Sequence, residues 1–290
     1  IKAFYRQLEG DLPAGTTAPT TTPTVAVVDA YGYSSAANDL AKYRQLNNLP
    51  PLCTASVTSN CVRFSKLNQS GVAGSYPANN TGWAQESALD IQMVSALCPW
   101  CNIVLVEAST ASYYNLAQAE VTASRVAGVV AISNSYGGGE SGTSLYGASY
   151  SPSNTVTNGY TGKLRPNIAV TASSGDSGYA GGTQFPAAVP YVIAVGGSRL
   201  SYASGTWSQT AWSGAGSGCS RTYSQMQWQK NKLPSASVCG GRVVSDVSAV
   251  ADPATGVAVV YGPYLYQFGG TSVSAPIIAG IIGQSNQPIR

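Results

Sequence analysis

A serine in a glycine-rich stretch near the end of the chain is the first candidate for chemistry. The stretch FGGTSVSAPIIAG at 268–280 predicts a tight turn followed by a helix of small residues that begins near Ser272. Such a turn can present a hydroxyl group as a nucleophile, but a serine needs a neighbouring base to accept its proton. The chain has 290 residues and no histidine, so the base must be another kind of side chain.

Glu86 and Asp90 are the candidates for that base. They lie four residues apart in the predicted helix WAQESALDIQMVSAL at 83–97 and therefore share one helical face, which apolar residues continue. A solvated face with incidental acids is the alternative, but a chain with only 12 acidic residues has placed two of them together. Neighbouring carboxyl groups can share a proton and titrate as a unit. We therefore predict that Glu86 accepts the proton of Ser272 while Asp90 orients Glu86.

Asp176 lies in the loop ASSGDSG at 172–178, directly after a predicted strand. An acid in such a loop could simply cap a turn. To donate a hydrogen bond to a developing oxyanion, the carboxyl group must be protonated. If it were ionised ~4 Å from the oxyanion at an effective dielectric of ~20, the repulsion would be about 4 kcal/mol, or roughly a thousandfold in rate. Such a site works in acid and fails near neutral pH.

Strands and helices alternate along the chain, which predicts an α/β fold with a mostly parallel central sheet and helices on both faces. Side chains at the carboxyl ends of the strands should form the site. The predicted strands cover 24–30, 102–108 and 129–138, with further strand–loop units at 167–178 and 191–197, and the predicted helices cover 35–46, 83–97 and 113–127. A predicted hairpin at 257–270 leads into the Ser272 helix.

The domain prediction is an N-terminal surface arm at 1–23 followed by a single domain at 24–290. The arm is rich in Pro and Thr, and the connections at 137–162 and 201–241 are long. No apolar run is long enough to cross a membrane. Only 9% of the residues are charged and no run of Lys or Arg occurs, so we expect no nucleic-acid partner. Acid unfolds proteins largely by protonating carboxylates that are paired in the folded state. Because this chain has few carboxylates, acid should destabilise it little.

The six cysteines form three pairs that are close in sequence. An even count in a chain of this composition favours an oxidising compartment and the disulfides Cys53–Cys61, Cys98–Cys101 and Cys219–Cys239. Two alternatives remain open. The CPWC motif at 98–101 could be a redox site, although it ends a helix rather than opening one, and the last four cysteines could bind zinc, although the last pair lacks CxxC spacing.

The motifs GGTSVSAP, GWAQESALD and ASSGDSG together resemble those of the sedolisins, the serine-carboxyl peptidases. The resemblance runs from about residue 24 to the end of the chain. It implies an acid-active endopeptidase with a subtilisin-like fold. Position by position, it implies that Ser272 is the nucleophile, Glu86 the base, Asp90 its partner and Asp176 the oxyanion donor.

The segment ISNSYGG at 132–138 is similar to the substrate-binding strand of the family. The resemblance implies that Ser135, Tyr136 and Gly137 pair with the backbone of a bound peptide. Asp29 occupies the position where some sedolisins carry an extra acid that extends the carboxyl network, although a helix cap or a strand-end turn is an alternative role. Asp246 and Asp252, in DVSAVADPATG, are interpreted as structural.

The resemblance also implies cofactors, partners and location. No cofactor is needed for the chemistry. A structural calcium ion is expected, but its ligands would lie beyond residue 290, so no metal site is predicted in this chain. The expected partners are polypeptide substrates and a removed N-terminal propeptide that inhibits the enzyme and assists folding. We expect a secreted, extracellular monomer without membrane contact. The alternative is a catalytically inactive sedolisin-like binding protein.

Overall fold

The computed structural model describes residues 22–152, 164–232 and 239–285. Almost all of the predicted N-terminal arm lies outside this part of the chain, as do parts of both long connections. The strands are Thr24–Ala30 (β1), Phe64–Asn68 (β2), Asn102–Ala108 (β3), Val129–Asn134 (β4), Ala169–Ser173 (β5), Ile193–Ala203 (β6), Thr206–Ala211 (β7), Gly218–Cys219 (β8), Val243–Val244 (β9), Val247–Val250 (β10), Val257–Tyr261 (β11) and Tyr264–Phe268 (β12). The α-helices are Ala36–Leu46 (α1), Thr81–Leu97 (α2), Tyr113–Arg125 (α3), Gln227–Lys232 (α4) and Thr271–Ser285 (α5).

An eight-stranded sheet forms the centre of the described chain. Its order is β10-β6-β5-β4-β1-β3-β2, with β7 added to β6. Every pairing along this order is parallel, and β7 alone runs antiparallel to its neighbour. The carboxyl ends of β1, β3, β4 and β5 therefore lie along one edge of the sheet. The prediction of a mostly parallel sheet is confirmed.

Helices cover both faces of the sheet, as predicted. On one face, Val27 of β1 packs in a core with Leu40 of α1, Leu89 of α2 and Val273 of α5. On the other face, Val28 and its neighbours pack in a second core with α3. Two cores are needed because successive strand residues point to opposite faces, and both faces of a parallel sheet must be buried.

Several element boundaries differ from the predictions. The strand predicted at 129–138 ends at Asn134, and the backbone continues to Gly138, which pairs in an isolated bridge with Phe185. The helix predicted at 113–127 ends at Arg125, because the backbone of Val126 is already extended, with φ −66° and ψ 132°. The strands β2, β7 and β10 were not predicted. They are short or rich in exposed polar residues and lack an apolar run.

All three predicted disulfides are present: Cys53–Cys61, Cys98–Cys101 and Cys219–Cys239. All six cysteines are paired, so no thiolate among the described residues is left for a four-cysteine zinc site. The Cys98–Cys101 disulfide is buried between α2 and β3, and the redox role of CPWC stays an alternative prediction. No helix in the described ranges is long and apolar enough to cross a membrane.

A buried amide on α2 ties this helix to the hairpin that leads into α5. The Nε2 atom of Gln92 donates to the carbonyl oxygen of Val260 at 2.7 Å. The backbone N–H of Val260 donates back to Oε1 of Gln92 at 2.8 Å. Gln92 has no exposed surface, so its side chain replaces a strand partner for β11. The contact fixes the position of the hairpin relative to the acidic helix.

We expect Gln92→Leu to lower the free energy of unfolding by about 2–5 kcal/mol, because it leaves both backbone groups of Val260 buried and unpaired. Gln92→Glu is the matched control. Below about pH 4 a protonated glutamic acid keeps one donor and one acceptor, whereas near neutral pH it loses the donor and buries a charge. Urea unfolding at about pH 3.5 and about pH 6.5 measures both variants. Equal destabilisation of Gln92→Glu at both pH values would contradict this role.

Candidate active site

The start of α5 presents Ser272 at the edge of the sheet. Gly270 precedes the helix with a φ of 101°, a conformation that favours glycine, and its N–H donates to the carbonyl of Ala251 at 2.6 Å. Ser272 is the second residue of the helix and is half-buried. Its N–H is one of the first four of α5, which have no partner within the helix. A free N–H group and the positive end of the helix thus lie beside the hydroxyl of Ser272.

Pro276 frees the backbone carbonyl of Ser272. In an α-helix the N–H of residue 276 would donate to the carbonyl of residue 272, but proline has no N–H. The hydroxyl of Ser135 contacts that carbonyl at 3.2 Å instead. The same hydroxyl lies 2.9 Å from Oδ1 of Asp90, and its single hydrogen is shared between the two acceptors. Ser135 therefore connects the predicted nucleophile to the predicted acid pair.

The predicted acids converge on Ser272. Glu86 lines the cleft, is half-buried and lies close enough to Ser272 for the serine hydroxyl to influence its pKa. Asp90 and Asp29 have no exposed surface. Within the described chain, Glu86 Oε1, Asp90 Oδ2 and both oxygens of Asp29 are buried without a conventional hydrogen-bond donor. Ionised carboxylates can only accept hydrogen bonds, so these groups can bond one another only through retained protons.

Burial raises the pKa of each of these acids. The pKa of Glu86 is raised to about 7 by burial and the nearby charge of Asp176, partly offset by the hydrogen bond from Ser272. Burial, followed by the charges of Asp29 and Glu86, raises the pKa of Asp90 well above its ordinary value. Burial and the charges of Glu86 and Glu107 do the same for the pKa of Asp29. The three groups interact, so they titrate as a set rather than singly.

Asp176 contacts the first residue of α5. Its Oδ1 accepts the N–H of Thr271 at 2.7 Å and the hydroxyl of Thr271 at 2.9 Å. The hydroxyl in turn accepts the N–H of Gly175 at 3.0 Å. The side chain is exposed. Asp176 thus caps the helix that carries Ser272, and its Oδ2 lies next to Gly270.

We expect Gly270→Ala to displace Asp176 and reduce any chemistry at Ser272. A β-carbon at position 270 would lie 2.6 Å from Oδ2 of Asp176, and the positive φ adds strain, so the loss of stability should exceed about 1 kcal/mol. Gly262→Ala is the matched control, because Gly262 also has a positive φ of 58° but a β-carbon there would meet no atom within 4 Å. Thermal unfolding and peptide cleavage by both variants test this. Equal cleavage by both would contradict the role of Gly270.

A cleft of about 350 Å³ opens beside Glu86. Its lining residues are Gly82, Trp83, Glu86, Ser135, Tyr136 and Gly137. The ring of Tyr136 contacts the ring of Trp83 with centroids 6.4 Å apart, and its hydroxyl donates to Oδ1 of Asn134 at 2.5 Å. The predicted substrate-binding segment is therefore next to the acid pair. The side chains of Ser135 and Tyr136 are engaged within the protein, which leaves the backbone to pair with a ligand.

Gln184 packs beside the cleft segment at Gly137, a contact that the sequence did not reveal. A β-carbon on Gly137 would lie 2.3 Å from Oε1 of Gln184, and one on Gly175 would lie 2.9 Å from its Cδ. The amide group thus packs between the segment after β4 and the segment after β5. The glycines at 137 and 175 are the only local signal for this contact, because the residue that fills the space beside them is distant from Gly137 in sequence.

No three His, Cys, Asp or Glu side chains in residues 22–152, 164–232 and 239–285 lie close enough together to hold a metal ion. These residues therefore do not fit the structural calcium ion that the resemblance implies. Asp246 and Asp252 have structural contacts: Asp246 accepts Nη1 of Arg242 at 2.8 Å, and Asp252 accepts the N–H of Ala254 at 2.9 Å.

Known proteins match both the sequence and the fold. Kumamolisin from Bacillus sp. (strain MN-32) is 39% identical over 140 residues, which cover 42% of this chain and 25% of kumamolisin. Pseudomonas sedolisin, a serine-carboxyl proteinase complexed with two molecules of pseudo-iodotyrostatin, has a TM-score of 0.74 and 23% identity, covering 93% of this chain and 76% of that chain. The match to kumamolisin supports the resemblance to the sedolisins, and the match to Pseudomonas sedolisin shows the same fold. Sphericase also shares the fold, with a TM-score of 0.58 and 15% identity, covering 97% of this chain and 82% of that chain.

The predicted sedolisin resemblance and its subtilisin-like fold are confirmed by these matches. No family model matches the chain. The chain spans about a quarter of the length of kumamolisin. The activity, substrates and partners of a sedolisin are therefore proposals for this chain, and so are the roles of its individual site residues.

We expect this sedolisin-like chain to be more stable in acid than at neutral pH. The pKa values of Asp29, Glu86 and Asp90 are raised in the folded protein, whereas unfolded carboxyls titrate near pH ~4. Stability due to their protonated forms is complete below about pH 4 and is lost as the pH rises through the raised pKa values. The Tm of Ser272→Ala, which avoids self-cleavage, should fall between about pH 4 and about pH 7. Adding Asp29→Asn should flatten that decline, whereas a constant or rising Tm would contradict the prediction.

Proposed function

We propose that the chain is a secreted, acid-active serine-carboxyl endopeptidase. The observation that carries the proposal is the convergence of acids on Ser272 in a chain without histidine: the hydroxyl of Ser135 joins Asp90 to the carbonyl of Ser272, and Glu86 lines the cleft beside this contact. Histidine is protonated well below pH 6 and cannot act as a base there. Asp29, Glu86 and Asp90 titrate as a set, so the first proton leaves the set at a lower pH than the last. The single negative charge that the set then carries lets Glu86 accept the proton of serine in acid. The likeness to kumamolisin and sedolisin supports the same reaction class.

The reaction begins when Oγ of Ser272 attacks the carbonyl carbon of the scissile peptide bond. Glu86 takes the serine proton while Asp90 and Asp29 hold the acid network in place. The electron pair of the carbonyl moves to its oxygen, which becomes an oxyanion. Glu86 then gives its proton to the leaving amine nitrogen as the C–N bond breaks, leaving an acyl-enzyme on Ser272. Water attacks this ester with Glu86 again as the base, and Ser272 is regenerated.

Asp176 and the N–H of Ser272 stabilise the oxyanion in this proposal. Oδ1 of Asp176 already accepts two hydrogen bonds from Thr271, so a proton on the carboxyl belongs on Oδ2, where it can be donated. Losing one such donor typically costs ~100-fold to ~1,000-fold in rate. Because an ionised Asp176 cannot donate, the activity falls when this group loses its proton.

The substrate is a polypeptide whose backbone pairs with Ser135–Gly137. The segment continues the line of β4 at an edge that is open toward the cleft, which suits β-augmentation. A β-carbon on Gly137 or Gly138 would meet Gln184 or Tyr113, whereas one on Gly139 would meet no atom within 4 Å, so only Gly139 leaves open space beside the segment. The three disulfides support secretion into an oxidising environment. We also propose that the enzyme is a monomer and that it is made with an N-terminal propeptide, which inhibits it until it is removed.

The first test is the rate of cleavage of an unfolded protein from about pH 2 to about pH 8. We expect a maximum in acid, no activity near neutral pH, and no cleavage by Ser272→Ala at any pH. Glu86→Gln should lose at least ~100-fold in kcat, because the general base is gone. If the wild-type chain shows no serine-dependent cleavage, the alternative of an inactive sedolisin-like binding protein replaces the enzyme.

Asp176→Asn separates the oxyanion role from the base. Asparagine keeps an acceptor for Thr271 and offers an N–H donor whose hydrogen is not lost as the pH rises. We expect the variant to be slower in acid but to retain activity at a higher pH than the wild type. If Asp176→Asn loses activity toward neutral pH over the same range as the wild type, a group other than Asp176 limits the activity at neutral pH. The control is Asp252→Asn, which changes an acid outside the cleft.

A further inference from the structure

A fourth acid, Glu107, lies beside Asp29 on the neighbouring strand. Asp29 of β1 and Glu107 of β3 are paired in register, so their side chains project from the same face of the sheet, toward α2. Glu107 has no exposed surface. Its Oε1 accepts the N–H of Tyr33 at 2.8 Å. Its Oε2 is buried and has no conventional donor among the described residues.

Glu107 forms an ion pair with Lys66 at the end of this row of carboxyl groups. Nζ of Lys66 lies 2.7 Å from Oε1 of Glu107 and donates to the carbonyl of Tyr33 at 2.8 Å. Only 12% of the Lys66 side chain is exposed. Burial raises the pKa of Glu107, while Lys66 and the N–H of Tyr33 offset part of that rise. Burial and neighbouring charges raise the pKa of Asp29 well above its usual range, and no cation offsets that rise, so Glu107 is the member of the pair that ionises first.

In the part of the chain that the structure describes, the four acids of the row have buried carboxyl oxygens that lack a hydrogen-bond donor from any other kind of group. These oxygens are Asp29 Oδ1, Asp29 Oδ2, Glu86 Oε1, Asp90 Oδ2 and Glu107 Oε2. A buried acceptor without a donor destabilises the fold, because it has lost its hydrogen bonds to water. A proton held between two carboxyl groups satisfies two oxygens at once, so the row is stable only if its members share protons. Glu107 already has two donors on Oε1, which makes it the member that accepts rather than gives.

We propose that Glu107, held ionised by Lys66, is a positioning residue that accepts a hydrogen bond from protonated Asp29 and so ends the carboxyl row behind Glu86 and Asp90. Asp29 is then fixed in its neutral form with its O–H directed at Oε2 of Glu107. The pair Glu86 and Asp90 is left free to take up and return the proton of Ser272. This inference rests on the proposed function, because it concerns the same reaction.

The other titratable groups around Glu107 do not replace Lys66. Tyr33 provides its N–H, and its hydroxyl donates away from Glu107 to Oδ2 of Asp39 on α1 at 2.6 Å. Burial, followed by the hydrogen bond to Asp39, raises the pKa of Tyr33, which keeps it neutral. On the same face, Tyr261 of β11 packs against the ring of Tyr33. Arg44 of α1 is buried and donates to Ser95 and to the carbonyl groups of Pro50 and Pro99. The acids on this face include Asp29 on β1 and Glu86 and Asp90 on α2.

Two variants test the electrostatic role of Glu107: the first removes its negative charge, and the second also removes the positive charge of Lys66. Glu107→Gln keeps an acceptor oxygen but leaves the positive charge of Lys66 unbalanced, which favours ionisation of the acid row. We expect the acid limb of kcat/KM to move about one pH unit lower, as an uncompensated charge several ångströms away predicts. Adding Lys66→Met removes that charge, so the double variant should return to the wild-type limb. A purely structural defect would instead worsen in the double variant.

Glu120→Gln is the matched control. Glu120 is equally buried and both of its oxygens lack a conventional donor, but it lies on α3, which packs on the other face of the sheet. It should not move the acid limb. The proposal is overturned if Glu107→Gln leaves the limb in place, if the double variant keeps the shift, or if Glu120→Gln shifts the limb equally.

An infrared titration of protonated carboxyl groups, in the Ser272→Ala background, tests the proposal independently of activity. At about pH 5 we expect one protonated carboxyl fewer in Glu107→Gln, because Asp29 ionises beside Lys66. Lys66→Met should show one more, because Glu107 gains a proton. If the wild type lacks serine-dependent cleavage, the proposed function fails but this titration still decides. If Glu107→Gln does not fold, Lys66→Met decides alone, and an unchanged count overturns the proposal.

Discussion

The site depends on buried carboxyl groups that have more acceptor oxygens than the surrounding protein has donors. Asp29 and Asp90 are fully buried, and neither has a cation within the row itself. Retained protons are the physical solution, since each one converts an acceptor into a donor and removes a charge from a poorly solvated place. This requirement explains why a low pH suits both the folded state and the proposed chemistry. The same protons that stabilise the row are the ones that a base must exchange with serine.

The beginning of α5 supplies the second half of the site through its unsatisfied backbone groups. Gly270 allows the sharp entry, Thr271 is held by Asp176, and Pro276 leaves the carbonyl of Ser272 to Ser135. At this end of the helix, side-chain contacts take the place of backbone hydrogen bonds, and each of them links the helix to a residue of the site. The helix end is therefore coupled to both the acid side and the oxyanion side of the cleft. Ordinary helical bonding at this terminus would lack those links.

The parallel sheet brings these parts together because its neighbouring strands end at one edge. β1 and β3 place Asp29 beside Glu107, and the segments after β4 and β5 carry Ser135 and Asp176. Gln92 then holds the hairpin before α5 against the helix that carries Glu86. Small errors in strand register would separate the carboxyls, so the core packing on both faces is what keeps the row continuous.

The sequence alone determined the features that arise from local spacing. Glu86 and Asp90 share a face because they are four residues apart in a helix, and the turn before Ser272 is encoded by adjacent glycines. The alternation of apolar strands and helices likewise predicted the fold. The tertiary structure decided the contacts between residues far apart in sequence: Glu107 with Lys66 and Asp29, Gln184 between two glycines, and the hydroxyl of Ser135 on the carbonyl that Pro276 leaves free. Strand register and loop packing set those contacts, and neither is encoded in the spacing of nearby residues.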